Sequence, residues 1–467
     1  MKPVVFQDKY GNGYLYSFYR KRLLPLDHQL YKLAYLYLFS NYEEFEKLYK
    51  QDLITKERFD FLKINLFFEE KVFLVDGKIE VQDIQESLQS LPLLIFEVTN
   101  VCNLKCKYCI YGEMYTVFTS SETKELTFEL AKSVIDYFVN ICLSRGNSKQ
   151  TISFYGGEPL LKFDLIKKII EYTQKINSIS YSYTITTNGM LLDKYYKQLI
   201  AWDVRLLVSL DGDRYSSQYR ICKNGKESYG KVYNNLVRIR KENPVYFRKM
   251  VDFNSVMHDK NPLCKLLGFM KNEFNKIPQC SSLSPAFLKD EYRNEFNRMA
   301  NNNYVDVESS CEKISMEAIY RSKPQVMAIL SVMNGYSGYT FRDFNQLLTY
   351  NQVEHYLPSG TCIPFSSRLL ISSNGILYPC ERIEYSYSLG RVQDGEMQIN
   401  MDEICEYYNL LYEKIRDKCS KCYSVYNCNN CLFQNDLNCQ YVTKDGFIKM
   451  LQKTIDGIYM YGKNFKK

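Results

Sequence analysis

Three cysteines crowd into eight residues, Cys102-Asn103-Leu104-Lys105-Cys106-Lys107-Tyr108-Cys109, a C-x3-C-x2-C run. Thiolates that close cannot alone complete a four-cysteine tetrahedral site. They suit a [4Fe–4S] cluster held by three cysteines, with one iron left open for a small ligand. Buried cysteines or part of a zinc site are the plainer alternatives. A second group comes late: Cys362, Gly375 and Cys380, then after a gap Cys419-x2-Cys422-x5-Cys428-x2-Cys431, and finally Cys439. Two C-x2-C pairs also suit a zinc knuckle. Between these groups stands Gly156-Gly157-Glu158-Pro159, whose glycines let the backbone approach a ligand and whose carboxylate can accept from an ammonium. A turn opening a helix with Glu-Pro is the alternative there. Only three histidines occur and no Ser/His/Asp arrangement suggests itself, which argues against hydrolytic chemistry.

The elements that must position these residues follow from periodicity. From residue 93 to about 283, strand-like runs (Leu93–Val98, Thr151–Tyr155, Tyr183–Thr187, Val204–Leu210, Met250–Val256, Lys276–Ser282) alternate with helical ones such as Phe128–Leu143, Leu165–Ile176 and Tyr229–Lys241. Such alternation predicts an α/β domain with a parallel sheet and right-handed crossovers over 91–283. Each motif falls just after a strand, where such folds gather their chemistry. Residues 1–90 carry two hairpin cues, Gly11-Asn12-Gly13 and Asp76-Gly77, the latter joining Lys71–Val75 to Lys78–Val81. Between them Asn41 with Glu44 resembles a capping box, and Thr55 can cap a helix lined by Phe59, Leu62 and Leu66. Strands, helices and a closing hairpin describe a winged-helix-like module. Residues 284–360 read as a helical insertion or linker, with Phe287–Ala300 and Met316–Met333 its clearest helices, and 361–467 as a cysteine-rich domain with a C-terminal helix.

At 467 residues the chain has room for two or three domains. Its 46% hydrophobic and 24% charged residues are ordinary for a globular protein, and no apolar run of about 18 residues suggests a membrane span. No signal peptide opens the chain, so a cytoplasmic location is expected. Sixteen cysteines at metal-ligand spacings then favour metal or iron–sulfur binding over disulfides. The net charge of +7 is mild, giving little support to nucleic acid and fitting an acidic peptide equally well.

The C-x3-C-x2-C run resembles the radical S-adenosylmethionine (SAM) superfamily, in which the open iron is chelated by SAM. The resemblance implies a partial (β/α)6 barrel, with Cys102, Cys106 and Cys109 as cluster ligands and Tyr108 near the adenine. It likens Gly156, Gly157 and Glu158 to the GGE motif that binds the amino group of SAM, and Thr186-Thr187-Asn188-Gly189 to a segment that contacts the ribose region. Ser209-Leu210-Asp211-Gly212 resembles the SLDG segment of the peptide- and protein-modifying branch, with Ser209 touching the ribose. Arg220 is the natural counter-charge for the SAM carboxylate, though Ser216-Ser217-Gln218 stands where the family often has a His-Asp pair.

The late cysteines look like the SPASM extension, one residue short in the final spacer. That resemblance assigns Cys419, Cys422, Cys428 and Cys439 to an outer auxiliary [4Fe–4S] cluster, and Cys362, Cys380 and Cys431 to an inner one with no evident fourth ligand. Glu381 follows Cys380 where related enzymes carry an acidic base, a candidate proton acceptor. A module ahead of such a core looks like the leader-peptide recognition element of enzymes that modify ribosomally made peptides. The expected function is therefore a peptide maturase acting through a 5′-deoxyadenosyl radical, for example in thioether or other crosslink formation. A precursor peptide would be bound by residues 1–90, and a reductase, flavodoxin or ferredoxin would be the electron donor. An anaerobic sulfatase maturase generating formylglycine is the alternative enzyme, and a winged-helix iron–sulfur DNA-binding redox regulator the alternative of another class.

Overall fold

The structure, a computed structural model, describes residues 1–39, 41–116, 125–144, 149–285, 287–300, 355–383, 385–428, 430–434, 439 and 441–462. The expected helix Met316–Met333 lies outside these residues. The chain divides into two compact units. One comprises Met1–Ile79, Lys323–Thr361 and Tyr407–Lys467; the other comprises Glu80–Ser322 and Cys362–Glu406.

The second unit is built on a ten-stranded sheet. Six strands expected from the sequence form its parallel part: β4 (Leu93–Thr99), β5 (Lys149–Gly156), β6 (Ser180–Thr187), β7 (Arg205–Ser209), β8 (Val251–Met257) and β9 (Gln279–Ser282), hydrogen-bonded in that order. Phe96, Ile152, Phe154, Ile185, Leu206, Val208 and Phe253 are fully buried, as strands covered on both faces demand. Helices α5 (Phe128–Ser144), α6 (Phe163–Thr173), α7 (Leu192–Ala201), α8 (Tyr229–Glu242) and α10 (Leu263–Phe274) follow successive strands, with the short α9 (Pro244–Met250) leading into β8. Beyond β4 the sheet continues into a part the sequence did not reveal. There β10 (Leu369–Ile371) lies parallel to β4, and β11 (Ile376–Tyr378), β12 (Gly390–Gln393) and β13 (Glu396–Gln398) follow as an antiparallel meander. The expected helix Phe287–Ala300 is shorter. Phe287 takes a left-handed φ of 60°, and regular α-helix, α11, covers only Arg293–Ala300.

In the first unit β1 (Val4–Gln7), β2 (Gly13–Ser17) and β3 (Arg22–Leu26) make an antiparallel sheet. The helices α1 (His28–Leu38), α2 (Tyr42–Gln51) and α3 (Leu53–Ile64) follow. Asp52, not Thr55, caps α3, accepting from the backbone of Ile54 and Thr55. The Asp76-Gly77 hairpin does not form. Leu74 bridges His355 and Gly77 donates to the Tyr356 carbonyl at 3.2 Å, so this segment takes a partner distant in sequence, and Val81 instead opens α4 (Val81–Gln89). A closing wing at 71–81 is therefore absent.

The small sheet is buried on both faces. Val5, Leu15 and Leu26 meet Leu30, Leu33, Phe45, Phe59 and Leu62 of the helices. Val4, Phe6, Tyr16 and Phe18 pack with Cys422, Val425 and with Phe447, Leu451 and Ile455 of the long C-terminal helix (Lys444–Gly462). The two end regions, read separately in the sequence, thus share one core.

Candidate active site

Three strand ends of the second unit converge around the first cysteine run. Its loop leaves β4 through a register shift between Glu97 and Thr99, a local irregularity that re-aims the chain at the mouth of the sheet. Backbone bonds then pin it: Lys105 and Lys107 donate to the carbonyls of Ile221 and Tyr219 at 2.7 and 3.1 Å. The glycines after β5 serve this loop. A Cβ on Gly157 would sit 2.2 Å from the Val101 carbonyl oxygen, and one on Gly156, at φ 121°, would sit 2.2 Å from that of Thr99. The close approach expected toward a ligand is thus made to the chain itself. Glu158 is fully buried and accepts from the Leu160 backbone (3.1 Å), the Thr187 hydroxyl (2.8 Å) and the Asn188 backbone (2.7 Å). It caps the turn after β5 and ties that turn to the end of β6. Burial pushes its carboxyl up to about 7 against those three donors.

Asn188 reaches from the end of β6 to the cysteines, with Nδ2 2.7 Å from the Asn103 side-chain oxygen and 3.6 Å from the Cys102 sulfur. The Cys102 sulfur also receives the Leu104 N–H at 3.3 Å. Burial raises all three thiols, Cys102 to about 11 and Cys106 to about 12, and the electrostatic influence of Cys109 reaches both. Thiols that share a loop and hold their protons in the apo state suit a metal that displaces those protons on binding. Among the described residues no three His, Cys, Asp or Glu side chains close on a single ion. Three thiols on one loop are the donor set of a [4Fe–4S] cluster that leaves one iron free, so the residues present fit that group.

Behind the loop lies a hub missing from the sequence reading. Asp211, fully buried, receives the Nε and Nη2 of Arg220 at 2.9 and 3.2 Å, the Tyr108 hydroxyl and the Val256 backbone (3.0 Å). Burial works to raise its carboxyl, but the Arg220 guanidinium overrides that and holds it at about 2. The Tyr108 ring lies 5.5 Å from the same guanidinium and stacks 5.7 Å from the buried His258. The Nδ1 of His258 accepts from the Lys260 backbone, which leaves its Nε2 facing Asp211 at 3.6 Å. Arg220 is therefore anchored on a carboxylate before any ligand arrives. Its charge works against the burial that raises the Cys106 thiol, so it lies within electrostatic reach of the cysteine run. Ser209 ends β7, half-buried, two residues before Asp211. The Asp in the SLDG segment and an Arg nine residues on were the available signal.

On the other flank Glu381 has one carboxylate oxygen 2.8 Å from Arg368 Nη1 and 3.4 Å from Arg382 Nε. Its other oxygen is buried with no hydrogen-bond partner among the described residues. The phenol of Tyr155, raised by burial, feels both Glu381 and Cys109, which brings that flank toward the cysteine run. Cys362 is exposed and Cys380 half-buried. In the first unit, burial raises Cys419 to about 12, with added repulsion from Cys428, Cys422 and Cys439. The four cysteines expected to act together thus lie within electrostatic reach of one another.

Residues 96–262 match the radical SAM superfamily. They are a radical SAM domain. That family uses a [4Fe–4S] cluster and SAM, and the Cys102–Cys109 loop at the head of its first strand fits the cluster. An uncharacterized Methanocaldococcus jannaschii protein is 36% identical over 137 residues, 29% of this chain but only 44% of its own length. The radical SAM cyclopropyl synthase TigE of Paramaledivibacter caminithermalis is 23% identical across 76% of this chain and 82% of its own. A cysteine-type anaerobic sulfatase-maturating enzyme of Clostridium perfringens is 23% identical across 71% and 86%. The structure of native anSMEcpe with bound AdoMet superposes with a TM-score of 0.52 at 18% identity, covering 80% of this chain and 98% of that one, and so shares the fold. No helix among the described residues is long and apolar enough to cross a membrane.

Proposed function

We propose that this chain is a radical SAM enzyme that modifies a ribosomally made precursor peptide docked on its N-terminal module. The observation that carries the reading is the similarity to TigE, which extends over 76% of this chain and so well past the radical SAM domain. When bound, the cluster and SAM supply a radical able to take hydrogen from a C–H bond too strong for acid–base removal. The protein's part is placement. Cys102, Cys106 and Cys109 would hold the cluster. Glu158 would face the amino end of SAM, and Asn188 and Ser209 its ribose region. Arg220, held by Asp211, would offer its remaining N–H groups to the carboxylate. Glu381, with one buried oxygen unsatisfied, has the unspent acceptor a proton-removing group needs. Cys362, Cys380, Cys419, Cys422, Cys428, Cys431 and Cys439 would bind auxiliary clusters of a SPASM-like domain, with a flavodoxin, ferredoxin or reductase as donor and the cytoplasm as location.

Docking on the first unit is supported by two features. Among the described residues β3 is an edge of its sheet, where a peptide strand could add, and α3 exposes Ile54, Phe61 and Ile64. Pro25 on β3 has no N–H, so side-chain pockets must contribute more of the selectivity than the strand ladder does. The sulfatase-maturase reading is kept by the coverage of the Clostridium relative and of anSMEcpe.

Anaerobic reconstitution tests the core of the reading. Full-length protein should bind iron and sulfide and convert SAM to 5′-deoxyadenosine under dithionite, and Cys106→Ala should abolish this. Turnover retained by that variant defeats the cluster assignment. A synthetic peptide encoded beside the gene should bind wild type at least tenfold more tightly than Phe61→Asp, which leaves the barrel intact. Equal binding removes the docking role and favours the sulfatase maturase.

A further inference from the structure

One buried carboxylate in the second unit serves neither the cysteines nor the SAM-facing residues. Glu97, only 2% exposed, lies in the apolar run of β4, at the register shift that precedes Cys102. Its two oxygens are divided between tasks. Oε1 accepts from two phenols, Tyr111 at 3.2 Å and Tyr385 at 2.7 Å. Oε2 accepts from the backbone N–H and hydroxyl of Ser373, at 3.1 and 3.3 Å. Tyr111 comes two residues after Cys109, and Tyr385 five after Cys380 and four after Glu381. A single side chain therefore grips the end of the first cysteine loop, the turn that carries Cys380 and Glu381, and the start of the added meander.

We infer that Glu97 is a positioning residue that fixes the Cys109 loop against the Cys380–Glu381 turn through a Tyr111–Glu97–Tyr385 clamp. Its carboxylate touches neither substrate nor cofactor; it acts through the two phenols. Two phenols and the N–H and hydroxyl of Ser373 converge on this one carboxyl group, and the two phenols also bond to each other, so the three segments close on a single point. Tyr385 stacks on Tyr378 of β11 with ring centroids 4.5 Å apart, so the clamp continues into the sheet instead of ending on a mobile ring. The inference rests on the proposed function only for the purpose of the spacing, since the clamp itself is a property of the apo chain.

The test is made on full-length apo protein by hydrogen exchange, so it stands apart from whether the cysteines bind iron. Glu97→Ala should speed exchange in the segments around Tyr111 and Tyr385 by roughly tenfold or more, the factor that one buried donor left unsatisfied implies. Tyr385→Phe should speed the segment around residue 385 more than that around residue 111, whose phenol keeps its bond to Glu97. Glu97→Gln retains an acceptor for both phenols and should stay within about threefold of wild type, since what it gives up is the Ser373 N–H bond. In iron-loaded protein Glu97→Ala should keep the wild-type iron content yet alter the EPR signal of the reduced cluster, as loosening beside Cys109 requires. Unchanged exchange at both segments in Glu97→Ala overturns the clamp. So does acceleration spread evenly across β4–β9, which marks general destabilisation. Failure of every variant and of wild type to load iron, with the exchange pattern as expected, removes the cluster assignment and leaves the clamp standing.

Discussion

Replacing Asp211 by Asn removes the only carboxylate hydrogen-bonded to the buried Arg220 among the described residues. In wild type that carboxyl sits at about 2 against a usual 3.8. At about 1.4 kcal/mol per pKa unit, the gap corresponds to about 2 kcal/mol of stability. The sign follows from the depressed folded value: the contribution is present above about pH 4 and is lost as the pH falls toward 2. Asn costs more than that, because its NH2 replaces the oxygen that accepts from both Arg220 Nε and the Tyr108 hydroxyl. Stranding one partner of a buried ion pair typically costs about 3–5 kcal/mol. Urea unfolding of the apo protein at pH 7 should therefore show Asp211→Asn down by about 3 kcal/mol or more. Arg220→Met in the same background should recover a large part of that loss, since the charge left unpaired is gone. If Asp211→Asn costs under about 0.5 kcal/mol, the level of an ordinary surface change, or if the double variant is simply additive, the hub is not what holds Arg220 and the reasoning fails.

Other outcomes follow from the same geometry. Glu158, raised to about 7 from 4.5 by burial, contributes stability in its protonated form that is full below about pH 4.5 and lost as the pH rises through 7, a change of about 3 kcal/mol. Thermal midpoints of the apo protein should therefore fall between pH 5 and 8 in wild type and stay flatter in Glu158→Gln; parallel curves refute this. Gly157→Ala sets a methyl 2.2 Å from the Val101 oxygen and should cost more than about 2 kcal/mol while displacing the cysteine loop, read as iron bound per chain after reconstitution. Phe447→Ala should cost about 3–5 kcal/mol and speed hydrogen exchange in β2, whose Tyr16 ring lies 5.3 Å from it; slow exchange there would separate the two ends of the chain.

The parallel sheet was legible because its strands are buried runs punctuated by amphipathic helices. The motifs were legible because each falls at a strand end. What escaped has physical reasons. Strands of three residues such as Leu369–Ile371 carry too short a pattern to register, so the meander that widens the sheet went unseen. Asp76-Gly77 has the composition of a tight turn, yet the flanking strand found its partner near Tyr356, some 280 residues away, and nothing local could announce that. Glu97 was hidden inside an apolar run, and Asp211 behind the SLDG label. A buried acid is identified by the donors that converge on it, and Ser373, Tyr385 and Arg220 are brought there only by the fold. The glycines after β5 were noticed for the right property, but the tight neighbour is the exit of β4.

The pairing of Tyr16 and Phe18 with Phe447 and Leu451 sets a schedule for biogenesis. During synthesis the small N-terminal sheet must wait, one face bare, until more than four hundred further residues have been made. Contacts of such sequence separation are slow to form. A nascent chain caught in that interval presents aromatic side chains to other proteins, and oxygen can reach the cysteines at 419–439 before their aromatic neighbours close over Cys422. Expression at low temperature under anaerobiosis, with any affinity tag kept clear of the final helix, should therefore raise the yield of intact protein more than codon changes in the barrel.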